Sequence, residues 1–159
     1  MKYPNLSHIA TIAEIGAAIG VMASVIYLSI QIEGSNKQLQ AQSYNDTLAM
    51  LHKPLELVVQ DPQLSDLVLR ASSDPALLTP GEWNRYSALM MLKMDAFEHA
   101  YYASQNGEIR SELWAGIAAS FTEELRSSLG FRRFWEESGN AFAEPFHGYV
   151  KAQFREYDR

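Results

Sequence analysis

Between residues 9 and 32 the chain carries one formal charge, Glu14, in 24 positions. Wound as an α-helix, that segment measures about 36 Å, against about 30 Å for the hydrocarbon core of a bilayer. Even the stretch from residue 15 to residue 32, 18 positions with no charge at all, reaches about 27 Å. Three structures accommodate such a run: a secretory signal, the core helix of a soluble bundle, or a transmembrane helix. The apolar core of a signal peptide spans only about 7–15 residues and closes on a small-x-small cleavage site. Here the run continues through Tyr27-Leu28-Ser29-Ile30-Gln31-Ile32 with no such site. We therefore expect an uncleaved N-terminal transmembrane anchor over residues 1–35, carrying a helical soluble domain over residues 36–159.

The faces of the expected anchor differ. Ile12, Ile15, Ile19, Met22, Ile26 and Ile30 recur at three- and four-residue steps and make a bulky stripe. Beside it, Ala13, Gly16, Ala17, Gly20, Ala23 and Ser24 make a stripe of small side chains containing one G-x-x-x-G. In lipid, small residues at this spacing let a second helix backbone approach closely, so these six positions are the candidate helix–helix contact. Glycine and alanine are also common in membrane helices for no special reason. Glu14, near the start of the span, reads as an interfacial carboxylate or as a polar contact to a partner helix.

Charge is concentrated after the span. From residue 34 onward there are 12 Lys+Arg against 17 Asp+Glu, a net charge of −5. A surface of that sign repels phosphate backbones, so nucleic acid is not an expected partner. The chain has no cysteine, which removes disulfides, thiolate metal ligands and cysteine nucleophiles.

The soluble part reads as all-α, about five helices in an irregular bundle. Glu33-Gly34-Ser35-Asn36 predicts a loosening at the membrane surface. Tyr44, Leu48, Leu51, Leu55 and Val58 then give a helical face, with Pro54 expected to kink or restart the helix. Asp61-Pro62 marks its end, and a short helix over 63–72 turns Leu64, Leu67 and Val68 inward. Thr79-Pro80-Gly81-Glu82 is a capping box with proline at the first helical position. It opens a long helix with Trp83, Tyr86, Met90, Met94, Phe97 and Tyr101 on one stripe, stopping at Asn106-Gly107. Further helices follow over about 111–128 (Trp114, Ile117, Phe121, Leu125), from Gly130 (Phe131, Phe134, Trp135), and from about Glu144 (Phe146, Val150, Phe154). The aromatic residues fall at core-packing positions.

Chemistry is hard to find. Asp95, Glu98 and His99, with Tyr102 on the same face, form the best candidate, since a carboxylate and an imidazole four residues apart can share a metal. The alternative is a solvated face with Asp95 and His99 as a local pair. Glu112, Glu123 and Glu124 on the next helix show no matching ligand pattern, and His8, His52 and His147 stand apart. No nucleophile elbow, P-loop or dinucleotide fingerprint occurs. Arg132-Arg133 beside Trp135 suggests either an anion cradle or, more simply, a helix-end contact. No cofactor is expected.

The string Ser24-Val25-Ile26-Tyr27-Leu28-Ser29-Ile30-Gln31-Ile32, with Asn36, Leu39, Ala41 and Tyr44, resembles the opening of a widespread group of uncharacterised bacterial proteins. Asp61-Pro62, Phe97-Glu98, Trp114, Gly130, Phe134-Trp135 and Phe146 extend the resemblance along most of the chain. It implies one N-terminal transmembrane helix, a helical domain on the cytoplasmic side of a bacterial inner membrane, and no catalytic residues. The chain departs from that group in having only Lys37 close after the span, where arginines are usual. Lys2 against Lys37 and Lys53 leaves the charge comparison across the span nearly balanced.

These readings converge on a membrane-anchored interaction or scaffold protein, self-associating or serving as an accessory subunit. Its expected partners are the lipid bilayer and either further copies of itself or other membrane-protein subunits. Both chain ends are expected to be tied down. A metal-dependent bundle enzyme using Asp95, Glu98 and His99, or a small-ligand sensor, are the rival functions.

Overall fold

The computed structural model describes residues 6–157, with side chains described from 10 to 155. Both chain ends, expected to be held, lie outside those limits. Six α-helices and two short 3₁₀ turns make up the described chain, and no strand occurs in it. The helices are α1 (Leu6–Gln60), α2 (Pro62–Ser73), α3 (Pro80–Gln105), α4 (Ser111–Ser127), α5 (Leu129–Ser138) and α6 (Phe146–Tyr157), with the 3₁₀ turns at Pro75–Leu77 and Gly139–Ala141. The all-α class and the long apolar N-terminal helix followed by five shorter ones agree with the reading of the sequence. The chain divides into two compact units, Met1–Leu39 and Gln40–Arg159.

In the first unit every described residue, from 10 to 39, is exposed. Ile12, Ile15, Ile19, Met22, Ile26 and Ile30 each show more than half of their surface, from 55% for Ile15 to 70% for Ile12. Helical structure does not loosen at Gly34 as expected. A single glycine costs a helix only about 1 kcal/mol, and Lys37 reaches back to Glu33 across it at 2.6 Å. The polar side chains of this segment are satisfied locally. Ser24 Oγ donates to the Gly20 carbonyl at 2.8 Å, Ser29 Oγ to the Val25 carbonyl at 2.9 Å, and Gln31 Nε2 to Tyr27 Oη at 2.8 Å.

The second unit has a core rich in aromatic side chains. Tyr86, Phe121, Phe131, Phe134, Phe146, Leu67, Met94 and Val150 are almost wholly buried. Phe97 and Phe121 meet with ring centroids 4.2 Å apart, and Trp135 stacks on Phe142 at 5.6 Å. Helix caps hold the pieces in register. Asp61 Oδ1 accepts from the backbone N–H of Gln63 and Leu64 at 2.9 and 3.0 Å, starting α2. The capping box at α3 is formed on both sides: Thr79 Oγ1 accepts from Glu82 N, and Glu82 Oε2 accepts from Thr79 N. Gly107, at φ 73°, follows the end of α3 in the left-handed region that favours glycine. Ser128 caps α5 by accepting from Phe131 N at 3.1 Å. Gly130 allows the α2–α5 contact: a Cβ there would stand 2.6 Å from the Ala71 carbonyl oxygen and 3.0 Å from Tyr86 Oη.

The C-terminal part of α1 joins this unit on a face that differs from the expected one. Thr47 and Pro54 are buried and Leu51 and Val58 half-buried, whereas Leu55 is 59% exposed. Pro54 neither ends nor restarts the helix, which runs on to Gln60. A spacing of 3.6 residues leaves 47 or 48, and 54 or 55, equally placed for the inner face. The narrower pair, threonine and proline, takes it. Thr47 Oγ1 is fully buried and has no hydrogen-bond partner. Gln40 Nε2 donates to the Gly107 carbonyl at 3.0 Å and Ser43 Oγ to Glu108 at 3.1 Å, which fixes this stretch of α1 against the turn after α3.

Candidate functional site

The small-residue face of α1 is continuous. Ala13, Gly16, Ala17, Gly20, Ala23 and Ser24 fall at offsets of 0, 3, 4, 7, 10 and 11, one stripe along a helix of 3.6 residues per turn. All six are exposed. A Cβ added at Gly16 or Gly20 would meet nothing within 4 Å. Nothing inside the chain therefore requires glycine at either position. The Ser24 hydroxyl is already committed to the Gly20 carbonyl, so close backbone approach is what this face offers. Glu14 is exposed on the same helix.

The Asp95, Glu98 and His99 group does not assemble into a ligand set. Asp95 and His99 are exposed and make no hydrogen bond to each other, so the local pair expected between them is not formed. Glu98 points instead to the chain before α6, accepting from Ala143 N at 3.1 Å. Tyr102 does the same kind of work, its hydroxyl donating to the Glu144 carbonyl at 3.1 Å. Among the described residues no three His, Cys, Asp or Glu side chains gather where they could hold a metal ion. The carboxylates of α4 and α5 are used structurally: Glu124 pairs with Lys93 at 2.5 Å, and Glu137 accepts from Trp83 Nε1 and Arg133 Nε, both at 2.8 Å. Those two bonds hold the Glu137 carboxyl below its ordinary pKa, the Arg133 contact contributing most.

The two adjacent arginines of α5 separate into different roles. Arg133 is a structural clamp: it lies 4.0 Å over the Trp83 ring and donates to Glu137 and to the Pro75 carbonyl. Arg132, one residue earlier and about 100° round the helix, faces α6 and stacks over Phe154 at 5.6 Å. It borders a cleft of about 310 Å³ between α5 and α6. From α5 come Arg132, Trp135 and Glu136, at i, i+3 and i+4. From α6 come His147, Lys151 and Arg155, at i, i+4 and i+8, with Asn140 closing one end. Trp135 stacks against His147 at 5.4 Å and lies 6.3 Å from Phe154, so an aromatic wall backs the cations. His147 Nδ1 is 3.1 Å from Glu144 Oε1, which also accepts through its other oxygen from Gly148 N. The His147 contact is the larger cause of a lowered Glu144 pKa.

Sequence reasoning singled out Arg132 and Trp135 but left His147 isolated and did not use Lys151 or Arg155. Their four-residue spacing on one helix was a readable signal. That this face of α6 meets the Arg132 face of α5 was not, because it depends on the turn at Gly139–Ala141 and on the Trp135 ring packed over Gly139. No protein-family model matches this chain, and neither a curated protein nor a solved structure matches it.

Proposed function

We propose that this chain is a single-pass protein of the bacterial inner membrane, anchored by the N-terminal part of α1. Its helical domain lies on the cytoplasmic side and serves as an interaction module, self-associating or acting as an accessory subunit of a larger membrane assembly. The observation that carries the reading is the complete exposure of residues 10–39 despite their apolar composition. Each large aliphatic side chain left in water forgoes about 1.5–3 kcal/mol of transfer free energy. A helix presenting so many of them on every face requires an apolar surrounding that the rest of the chain does not supply, and a bilayer supplies it all round. The local hydrogen bonds of Ser24, Ser29 and Gln31 suit that setting, where an unsatisfied polar group costs several kcal/mol.

Association is assigned to the small-residue face. Between helices in lipid the hydrophobic drive is weak, and close packing supplies most of the attraction. The test is Gly20→Leu against Ile19→Leu, read by cross-linking and native mass measurement in mild detergent. Leucine at position 20 holds a partner backbone away while leaving the span at least as apolar, so insertion survives and assembly is lost. Ile19→Leu leaves assembly intact. Wild-type assembly by Gly20→Leu would remove the face from the interface and leave any oligomer to the helical domain.

A further inference from the structure

We propose that the cleft between α5 and α6 is a binding site for a phosphomonoester group, held by Lys151, Arg155 and Arg132 with the Asn140 amide at its edge. Three observations carry this. The domain is acidic overall, and most of its described cations are spent on ion pairs: Lys53 with Glu56, Arg70 with Asp66 and Glu82, Arg85 with Asp61, Lys93 with Glu124, Arg133 with Glu137. Lys151 and Arg155 are exceptions, with no described carboxylate at ion-pair distance, and both open into this one cleft. Glu144 is near enough to sense Lys151 but is engaged by His147 and Gly148.

The second observation is convergence. Three cations enter from two helices at separate positions along the cleft, the disposition that suits several oxygens on one centre, whereas a carboxylate presents only two. Arginine supplies a planar fork and lysine a compact charge, a pairing suited to a dianion. The third is the wall. Trp135 and Phe154 give the cleft an apolar side for the organic part of a ligand, and about 310 Å³ accommodates a small one. Glu136, exposed on the rim, accepts a hydroxyl of such a ligand and disfavours a second anionic group.

A phosphomonoester reaches this site either as a free metabolite or as the headgroup of an anionic lipid, and the test separates the two. Full-length protein in mild detergent is titrated with phenyl phosphate and with benzoate, followed by calorimetry and by ³¹P line broadening. The same protein in vesicles of zwitterionic lipid, with and without phosphatidic acid, is titrated with phenyl phosphate in competition. We expect saturable binding of phenyl phosphate at least about tenfold tighter than benzoate. Loss of that binding on adding phosphatidic acid identifies the lipid as the source, and its retention identifies a free ligand. Lys151→Gln with Arg155→Gln should weaken binding by at least about tenfold, as expected for removal of charge-assisted hydrogen bonds. Arg110→Gln with Arg126→Gln changes the net charge equally at exposed sites outside this cleft and should alter it less than about twofold, a loss expected only of non-specific attraction. No saturable binding of phenyl phosphate, equal binding of benzoate, or equal losses in the two double variants would each overturn the proposal.

Discussion

The N-terminal part of α1 and the helical domain use apolar side chains in opposite ways. Residues 10–39 hold isoleucines, valines and methionine with none of them buried. From Gln40 onward, phenylalanines, tyrosines and tryptophans close into one core. The first segment is uniform enough to stand in a single apolar medium. The second is patterned, with buried positions such as Met90, Met94, Phe97 and Tyr101 at three- and four-residue steps and charges between them. Periodicity, more than apolar content, tells which segment builds its own interior.

Substitutions should sharpen that contrast. Phe134 is wholly buried at the centre of the domain, and Phe134→Ala should destabilise it by about 3–5 kcal/mol through lost transfer and an unfilled cavity. Ile19→Ala, on the exposed helix, should leave the denaturant midpoint of the domain unchanged. Urea unfolding followed by tryptophan fluorescence reads both, and a comparable loss in Ile19→Ala would break the comparison.

Glycines offer a second contrast. Gly130→Ala places a methyl group 2.6 Å from the Ala71 carbonyl oxygen, a backbone atom that cannot rotate away, and should cost the domain about 1–3 kcal/mol. Gly16→Ala meets nothing within 4 Å and should leave domain stability as it was. A neutral Gly130→Ala in thermal unfolding would mean that α2 and α5 separate more readily than their packing indicates.

Acid should act only on the domain, and more gently. The Arg70 contact, reinforced by Thr79, lowers the Glu82 carboxyl from its ordinary 4.5 to about 2. A group depressed in the folded state contributes stability that is present above the unfolded pKa and is lost as pH falls through the folded one. The contribution of Glu82 is therefore full above about pH 5 and fades between about 4.5 and 2. Glu82→Gln should flatten that part of the stability profile. An unchanged acid limb in the variant would remove Glu82 from the cause.

Much of the fold was legible because local chemistry fixes helix ends. Asp61-Pro62, the Thr79–Glu82 box and Asn106-Gly107 each mark a boundary through a hydrogen bond or a backbone angle that the residues themselves supply. What failed was rotation and continuity. The choice of Thr47 and Pro54 over Leu48 and Leu55 for the inner face depends on the surface that α1 meets. Gly34 suggested a break that its neighbours Glu33 and Lys37 bridge. At the candidate sites the small face of α1 was readable from spacing alone. The α5–α6 cleft was only half readable, because two helix faces far apart in sequence must be brought together before their cations share a space.

The most direct test of the contrast is partition of the full-length chain between membrane and water. Membranes carrying it are washed with alkaline carbonate, and the pellet is compared with that from a chain beginning at Asn36. The full-length protein should stay in the pellet and the shorter chain should be soluble and helical by circular dichroism. Recovery of the full-length protein in the detergent-free supernatant would contradict the anchor, and would mean that residues 10–39 are covered by protein.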